Sequence, residues 1–498
     1  MSSVSTGDYT RRLAALLSLG AMLALLLAIP AARAAGSSEA QSAQGSIATV
    51  TDALVADALR ANLEIDSARA SVGERRAALD AARARYLPVL DFDARYSAAH
   101  GGRVIDIPIG DLMNPVYSTL NQLTGTSRFP PVANQQINFL RSREQDTKLT
   151  LTQPLYDPRL GPARAAAAAD YDAAEANRSA LDGRIERDMR AAYYHWLEAR
   201  ARIGVLEATL ELARENERVN ESLFKNGKIT RDLVYRAEAD VLEVEQSMLA
   251  ATNAERFAAS YVNFLRNTAF DTPLPLAEVS DADVRELKTA LAIRIGKGGF
   301  GLDALAASAV DRRPELKALE SEAAAAKAGE HLARAAYRPQ LAFSVDAGTQ
   351  GEGYGLTSED RYVLASVVLK FNLFSGGADR AGVAGAHERR RAAESGRALA
   401  EQRIRLEVQQ SLENFEVAEA SLGTAAKRVD AATGAFRIAA RKRDLGQINQ
   451  AEFVDARRLL TDAEINLNVT RFGALGSLAD LEYAVGSGRH PFVPDTPQ

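Results

Sequence analysis

The chain has 498 residues, no cysteine, one tryptophan, a quarter of its residues charged and a net charge of −5. Disulfide scaffolds, thiolate metal sites and a lipid on an N-terminal cysteine are excluded, and the acidic balance disfavours nucleic acid as a partner. Abundant alanine and charge beside few aromatic residues suit long helices rather than a thick globular core.

Arg11 and Arg12 precede an apolar run from Leu13 to Ile29, and Ala32-Arg33-Ala34 has the small-residue cleavage pattern. Residues 1–34 are therefore expected to be a signal peptide; the competing reading, a retained membrane anchor, needs a longer run. Cleavage removes three arginines and one aspartate, which takes the net charge from −5 to −7. No later apolar stretch is long enough for a membrane helix, so an exported chain of this kind is either soluble or crosses a membrane by strands.

Asp52 to Arg85 reads as one helix, with Leu54, Val55, Ala58, Leu59, Leu63 and Ile65 at helical spacing. Pro88 ends it, because the residue before a proline is pushed out of the α region. Leu90, Phe92, Ala94 and Tyr96 then alternate with Asp91, Asp93, Arg95 and Ser97, the period of a strand. A second alternating run, Lys148 to Thr152, leads into Gln153-Pro154-Leu155-Tyr156. Between these strands the loop 98–145 is rich in Gly, Pro and Asn, with Asp111 to Leu123 as a candidate helix.

Neither Pro162–Pro273 nor Pro339–Pro491 is interrupted by a further proline. A helix of roughly 68 residues in each stretch would be on the order of 100 Å long. Gly227 and Gly446 fit the left-handed position that ends such a helix and reverses the chain.

The second half repeats the first. Ala82-Arg83-Ala84-Arg85-Tyr86-Leu87-Pro88 returns 251 positions later as Ala333-Arg334-Ala335-Ala336-Tyr337-Arg338-Pro339. Gly227-Lys228-Ile229 is answered by Gly446-Gln447-Ile448. From Tyr156 to Gly227 is 71 residues and from Phe374 to Gly446 is 72. A helix from Leu302 to Ala336, broken at Pro314, precedes a second hairpin: Leu341 to Ala347, then Val363 to Leu373, both in period two. Pro88 and Pro339 thus mark the strand starts. The expected organisation is a first repeat at 35–280, a linker or equatorial segment at 281–301, a second repeat at 302–486 and a tail at 487–498. The fold class is mainly α with a small β part.

Each half carries one hairpin with an apolar and a polar face. An apolar face suits lipid, although a half-buried soluble sheet has the same pattern. Four strands cannot close a barrel, and open edges in lipid leave backbone groups unpaired, so copies must combine. Three chains give 12 strands, an even number within the range of membrane barrels.

Catalytic and metal patterns are weak. The histidines at 100, 195, 331, 387 and 490 are scattered, and no Gly-Lys-Ser/Thr follows Gly376-Gly377. His195-Trp196 reads as a packing position, and Asn177 and Asn468 head glycosylation tripeptides that lie within helices. No enzyme, cofactor or metal is expected.

The paired halves resemble the TolC family of outer-membrane efflux and secretion channels. The matching residues are Tyr86/Pro88/Leu90, Tyr337/Pro339/Leu341, Gln153 to Tyr156, Asn372 to Gly377 and the two glycine turns. The resemblance implies a homotrimer with a 12-stranded barrel in outer-membrane lipid and a helical tunnel across the periplasm. It further implies a periplasmic adaptor and an inner-membrane pump as partners, the adaptor meeting the turns Gly227-Lys228-Ile229 and Gly446-Gln447-Ile448. In that family an acidic ring closes the tunnel six and nine positions after the second glycine; here these are Glu452 and Asp455, against Leu233 and Arg236 in the first half. One departure is Ile448, where the family often has a basic locking residue, which leaves Arg443 and Lys442 as candidates. The alternative is an exported coiled-coil scaffold or the adaptor of such a pump.

Overall fold

A computed structural model describes residues 45–296, 299–353 and 357–488. The expected signal peptide and most of the tail lie outside them. Ten helices and six strands follow one another in two similar series among the described residues.

In the first series α1 (Ile47–Ala61) and α2 (Leu63–Ala84) lead to β1 (Val89–Ala98). The insertion that follows holds β2 (Val104–Ile107), α3 (Ile109–Thr124) and β3 (Gln135–Asn138). Then come β4 (Arg143–Tyr156), α4 (Leu160–Lys225) and α5 (Arg231–Leu265). After α6 (Asp281–Ile295), the second series runs α7 (Leu302–Arg312), α8 (Pro314–Arg334), β5 (Gln340–Gly351), β6 (Arg361–Lys370), α9 (Ala378–Asp444) and α10 (Gln450–Ala484). The 66 residues of α4 and 67 of α9 make rods of about 100 Å at 1.5 Å per residue.

Three expectations need correction. The helix read across Asp52–Arg85 is broken at Asn62, whose side chain caps α2 through the Glu64 amide and donates 3.0 Å to the Leu265 carbonyl. The segment 281–301, read as a linker or equatorial segment, is not a bare linker. Ser280 and Asp283 form a capping box, and α6 buries Val284, Leu287, Leu291 and Ile295 in the main core. Finally, β6 stops at Lys370, leaving Leu373 beyond the strand.

The helices form four columns. The Asn62 bond stacks α2 end to end on α5, and Ser308 and Glu315 hold α7–α8 against the end of α10 through Val485 and Tyr483. Column α4 packs on α5 and α2 along one side and on α8 and α10 along the other, and α9 packs on α8 and α10. This leaves α5 and α9 as the two outer columns. Each carries a second apolar stripe opposite its buried one. On α5 it is Tyr235, Leu242, Leu249, Phe257 and Phe264; on α9 it is Leu399, Leu406, Val417 and Ile438; all are exposed. Two apolar faces on one helix mean two packing partners, and the described residues supply only one.

The strands form one antiparallel sheet in the order β1-β4-β5-β6. Its register aligns whole rows: Leu90, Leu151, Val345 and Ala365, then Phe92, Leu149, Ala347 and Val363, on one face. The opposite face carries Asp91, Thr150 and Asp346, then Asp93 and Lys148. There Thr150 donates 2.6 Å to Asp346, and Arg95 lies 3.7 Å from Asp146. Polar side chains bond one another on one side, and among the described residues nothing covers the apolar side. Both edges, β1 and β6, pair with no strand among the described residues.

Candidate gate at the helix-turn tips

The two tips farthest along the chain from the sheet are built alike. Gly227 has φ 67° and Gly446 φ 68°. Each allows the double bond of a Schellman cap: Gly227 and Lys228 amides to Phe224 and Leu223 carbonyls, Gly446 and Gln447 amides to Arg443 and Lys442 carbonyls. A side chain with a Cβ is strained at that φ, which is why glycine stands there twice. Ile229 and Ile448 are half-buried inside the turns, while Lys228 and Gln447 face solvent.

Beyond the second turn Asn449 caps α10 by accepting from the Glu452 amide at 2.9 Å, and its amide nitrogen donates 3.0 Å to the Glu452 carboxylate. Glu452 is thereby held at the helix N-terminus, where the helix dipole favours negative charge. Asp455 lies one turn further on the same face, and both carboxylates are exposed. Between them Phe453 turns inward against Phe436. In the first half Leu233 is half-buried and Arg236 exposed.

Arg443, a candidate lock on sequence grounds, makes no ion pair with the first half among the described residues, although, after the Arg218 hydrogen bond, its charge also lowers the Glu215 carboxyl of α4. It bonds its neighbour Asp444 at 3.1 Å and lies 4.0 Å over the Phe453 ring. The tie between halves is supplied by residues the sequence reading passed over. Arg457 of α10 bonds Asp240 of α5 at 2.5 Å with side chains 2% and 7% exposed, and Arg458 adds a surface pair to Glu243 at 2.6 Å. Thr209 bonds Thr461 at 2.9 Å, and Asn216 and Asn220 are buried nearby in the chain. The tip half of the columns is thus packed on polar groups and alanines, with a few larger apolar side chains such as Val241, Val244 and Phe453. The large apolar core lies at the other end of α5 and α10.

That core surrounds a charge junction. Arg190, buried in α4, reaches Glu186 at 2.6 Å, Asp52 at 3.1 Å and Glu482 at 3.3 Å, and Arg294 of α6 also bonds Glu482. Next to it the Tyr483 ring lies between the guanidinium groups of Arg187 and Arg313, 5.0 and 4.7 Å away, and its hydroxyl donates to Glu315. Burial pushes the Tyr483 hydroxyl up to about 12. Burial would also raise Glu315, but the hydrogen bond and charge of Arg313 outweigh it and hold the carboxyl below its ordinary range. These pairs pin α1, α4, α6, α8 and α10 together.

No cluster of histidine and carboxylate able to hold a metal exists among the described residues. Of the pair His195-Trp196, read as a packing position, His195 is exposed, while Trp196 is buried and donates to Glu255 at 2.8 Å. Pro88 and Pro339 directly precede β1 and β5.

Two strands and two helical columns per half, ending in a sheet with one lipid-compatible face, define a class of channel-forming outer-membrane proteins. Residues 54–259 and 305–487 match the outer membrane efflux protein family, and the chain belongs to it. No curated protein sequence matches the chain. Among solved structures it is similar to CusC, at 17% identity and TM-score 0.73 over 88% of this chain and 92% of that one. The Campylobacter jejuni CmeC outer membrane channel gives 15% and 0.72 over 88% and 86%. The Neisseria gonorrhoeae MtrE channel in its open state gives 19% and 0.67 over 88% and 89%. At such identities the likeness speaks for the fold. Family membership makes the chain an outer-membrane efflux channel that reaches into the periplasm, and the family is one of transport channels rather than enzymes.

Proposed function

We propose that three copies close edge to edge into one continuous duct, a 12-stranded barrel above and a ring of 12 helical columns below. The observation that carries this reading is that every outer edge of the chain is unfinished. Strands β1 and β6 have free edges, and the outer columns α5 and α9 bear exposed apolar stripes. Different edges at the two ends give a head-to-tail contact, which closes into a ring when the rotation permits. In lipid, closure also satisfies the edge strands' backbone groups. The apolar sheet face then meets outer-membrane lipid and the polar face lines the duct.

In this trimer the turns Gly227-Lys228-Ile229 and Gly446-Gln447-Ile448 form the end of the tunnel, where a periplasmic adaptor and its inner-membrane pump dock. The exposed Lys228 and Gln447 are the groups offered to it. Glu452 and Asp455 from each copy place six carboxylates around the inner constriction, which attract cations. The adaptor alternative leaves the free sheet edges unexplained.

Two measurements test the proposal. Light scattering of the detergent-solubilised protein is expected to give the mass of three chains; a monodisperse, barrel-containing monomer would end this reading. In planar bilayers, Glu452→Gln with Asp455→Asn is expected to lower cation selectivity and weaken block by multivalent cations, with assembly intact because size and polarity are kept. Unchanged selectivity would place these carboxylates on an outer face of the tips.

A further inference from the structure

The insertion between β1 and β4 is a small folded unit, not a slack loop. The β2–β3 pair joins Ile105 to Ile137, and α3 lies against residues 126–134. Asn114 exchanges two bonds with Val132, Asn121 exchanges two with Phe129, and Tyr117 packs on the Phe129 ring at 5.5 Å. Gly110 fits under the Val132 carbonyl, which any Cβ would meet at 2.3 Å. One face of α3 is therefore taken.

The other face is a stripe of Leu112, Val116 and Leu123, flanked by Met113 and Leu120. Leu112 is 70% and Leu123 78% exposed. An apolar row of this kind on a built element marks a contact surface. Two occupants are open to it: the charged outer leaflet, or another copy of the chain. A helix that rests on an anionic surface carries Lys or Arg beside its apolar face. α3 has neither, and its one charged residue is Asp111.

Continuity favours the second copy. The insertion leaves from Ala98, where the ladder to Arg143 ends, at the end of the free-edged strand β1. In the trimer proposed above, on which this inference rests, that edge meets the next copy. Three insertions then rise side by side from one mouth.

We propose that the Leu112/Val116/Leu123 stripe packs against the insertions of neighbouring copies and forms a second constriction at the outer mouth of the duct. The inner gate is lined by carboxylates; this one is closed by apolar contact and gives way to apolar cargo more readily than to ions.

The chain lacks cysteine, so single cysteines report cleanly. Leu112→Cys, Val116→Cys and Leu123→Cys are each expected to form cross-linked dimers within the trimer on oxidation in membranes, whereas the exposed Ser118→Cys, on another face of α3, does not. A second variant removes residues 102–140 and joins Ala99 to Ser142, which already share a 3.1 Å backbone bond, through a short turn. It is expected to remain a trimer and to conduct at least twice as well. Intact trimers without stripe cross-links, with the stripe cysteines labelled from the lipid phase, would assign the stripe to the membrane and overturn the proposal. So would unchanged conductance of the shortened trimer. Monomers by light scattering before any cross-linking would instead bring down the trimer reading itself, and this inference with it.

Discussion

Asp240→Ala is expected to loosen the tunnel tips more than any other single change in that region. It leaves the Arg457 guanidinium, 2% exposed, without its carboxylate. Halving a buried ion pair costs about 3–5 kcal/mol, because the remaining charge stays desolvated. The pair is also incompletely satisfied: Asp240 Oδ2 and Arg457 Nε and Nη1 have no hydrogen-bond partner among the described residues. Its net worth against an apolar pair of similar volume is therefore small. Asp240→Leu with Arg457→Met is expected to restore most of the lost stability, which a double-mutant cycle measures. In bilayers the single variant is expected to open more often than wild type, since Arg457–Asp240 is the buried tie between the two halves near the tips. Equal closed times in both would show that the pair holds the helices together without holding the gate.

Arg190→Met is expected to weaken the whole chain rather than one end. The substitution keeps an unbranched side chain of helix-compatible shape but removes the guanidinium that Glu186 and Glu482, both buried beside it, share. Arg294 still neutralises Glu482, so the burden falls on Glu186. The expected loss is again about 3–5 kcal/mol, read as a lower denaturant midpoint of the helical signal. Glu186→Gln in the same chain is expected to recover part of it, because a neutral amide tolerates burial better than a carboxylate that has lost its buried cation. If Arg190→Met unfolds at the wild-type midpoint, the junction is solvated and the five elements are held by apolar packing alone.

The Asp240–Arg457 pair and the contacts of Arg190 with Asp52 and Glu482 join positions far apart in the chain, and that distance marks the limit of what is legible in the sequence. The strand starts at Pro88 and Pro339, the left-handed glycines 227 and 446, and the break at Pro314 were all legible. In each case one residue fixes the backbone locally, and φ needs no distant partner to be decided. The faces of the sheet were legible for the same reason, since alternation is a property of the strand itself. Glu452 and Asp455 were legible as neighbours on one face, again from helical spacing.

Two local signals were present and went unread: Asn62 followed by Glu64 as a cap in mid-helix, and Ser280 with Asp283 as a capping box opening α6. Gly110, Asn114 and Asn121, which lock α3 to its own loop, looked only like turn composition.

By itself the sequence determined the repeat, the lengths of the rods, their reversals and which side of each strand is apolar. Only the tertiary structure decided what joins the halves. Arg457 meets Asp240 across 217 positions and Arg190 meets Glu482 across 292. An arginine on a charged helix has dozens of equivalent carboxylates to choose from, and local spacing carries no information about which one the fold brings within reach. The same holds for the outer columns. That α5 and α9 are apolar on two faces is written in their residues, but which face the described residues cover and which they leave exposed was settled by packing.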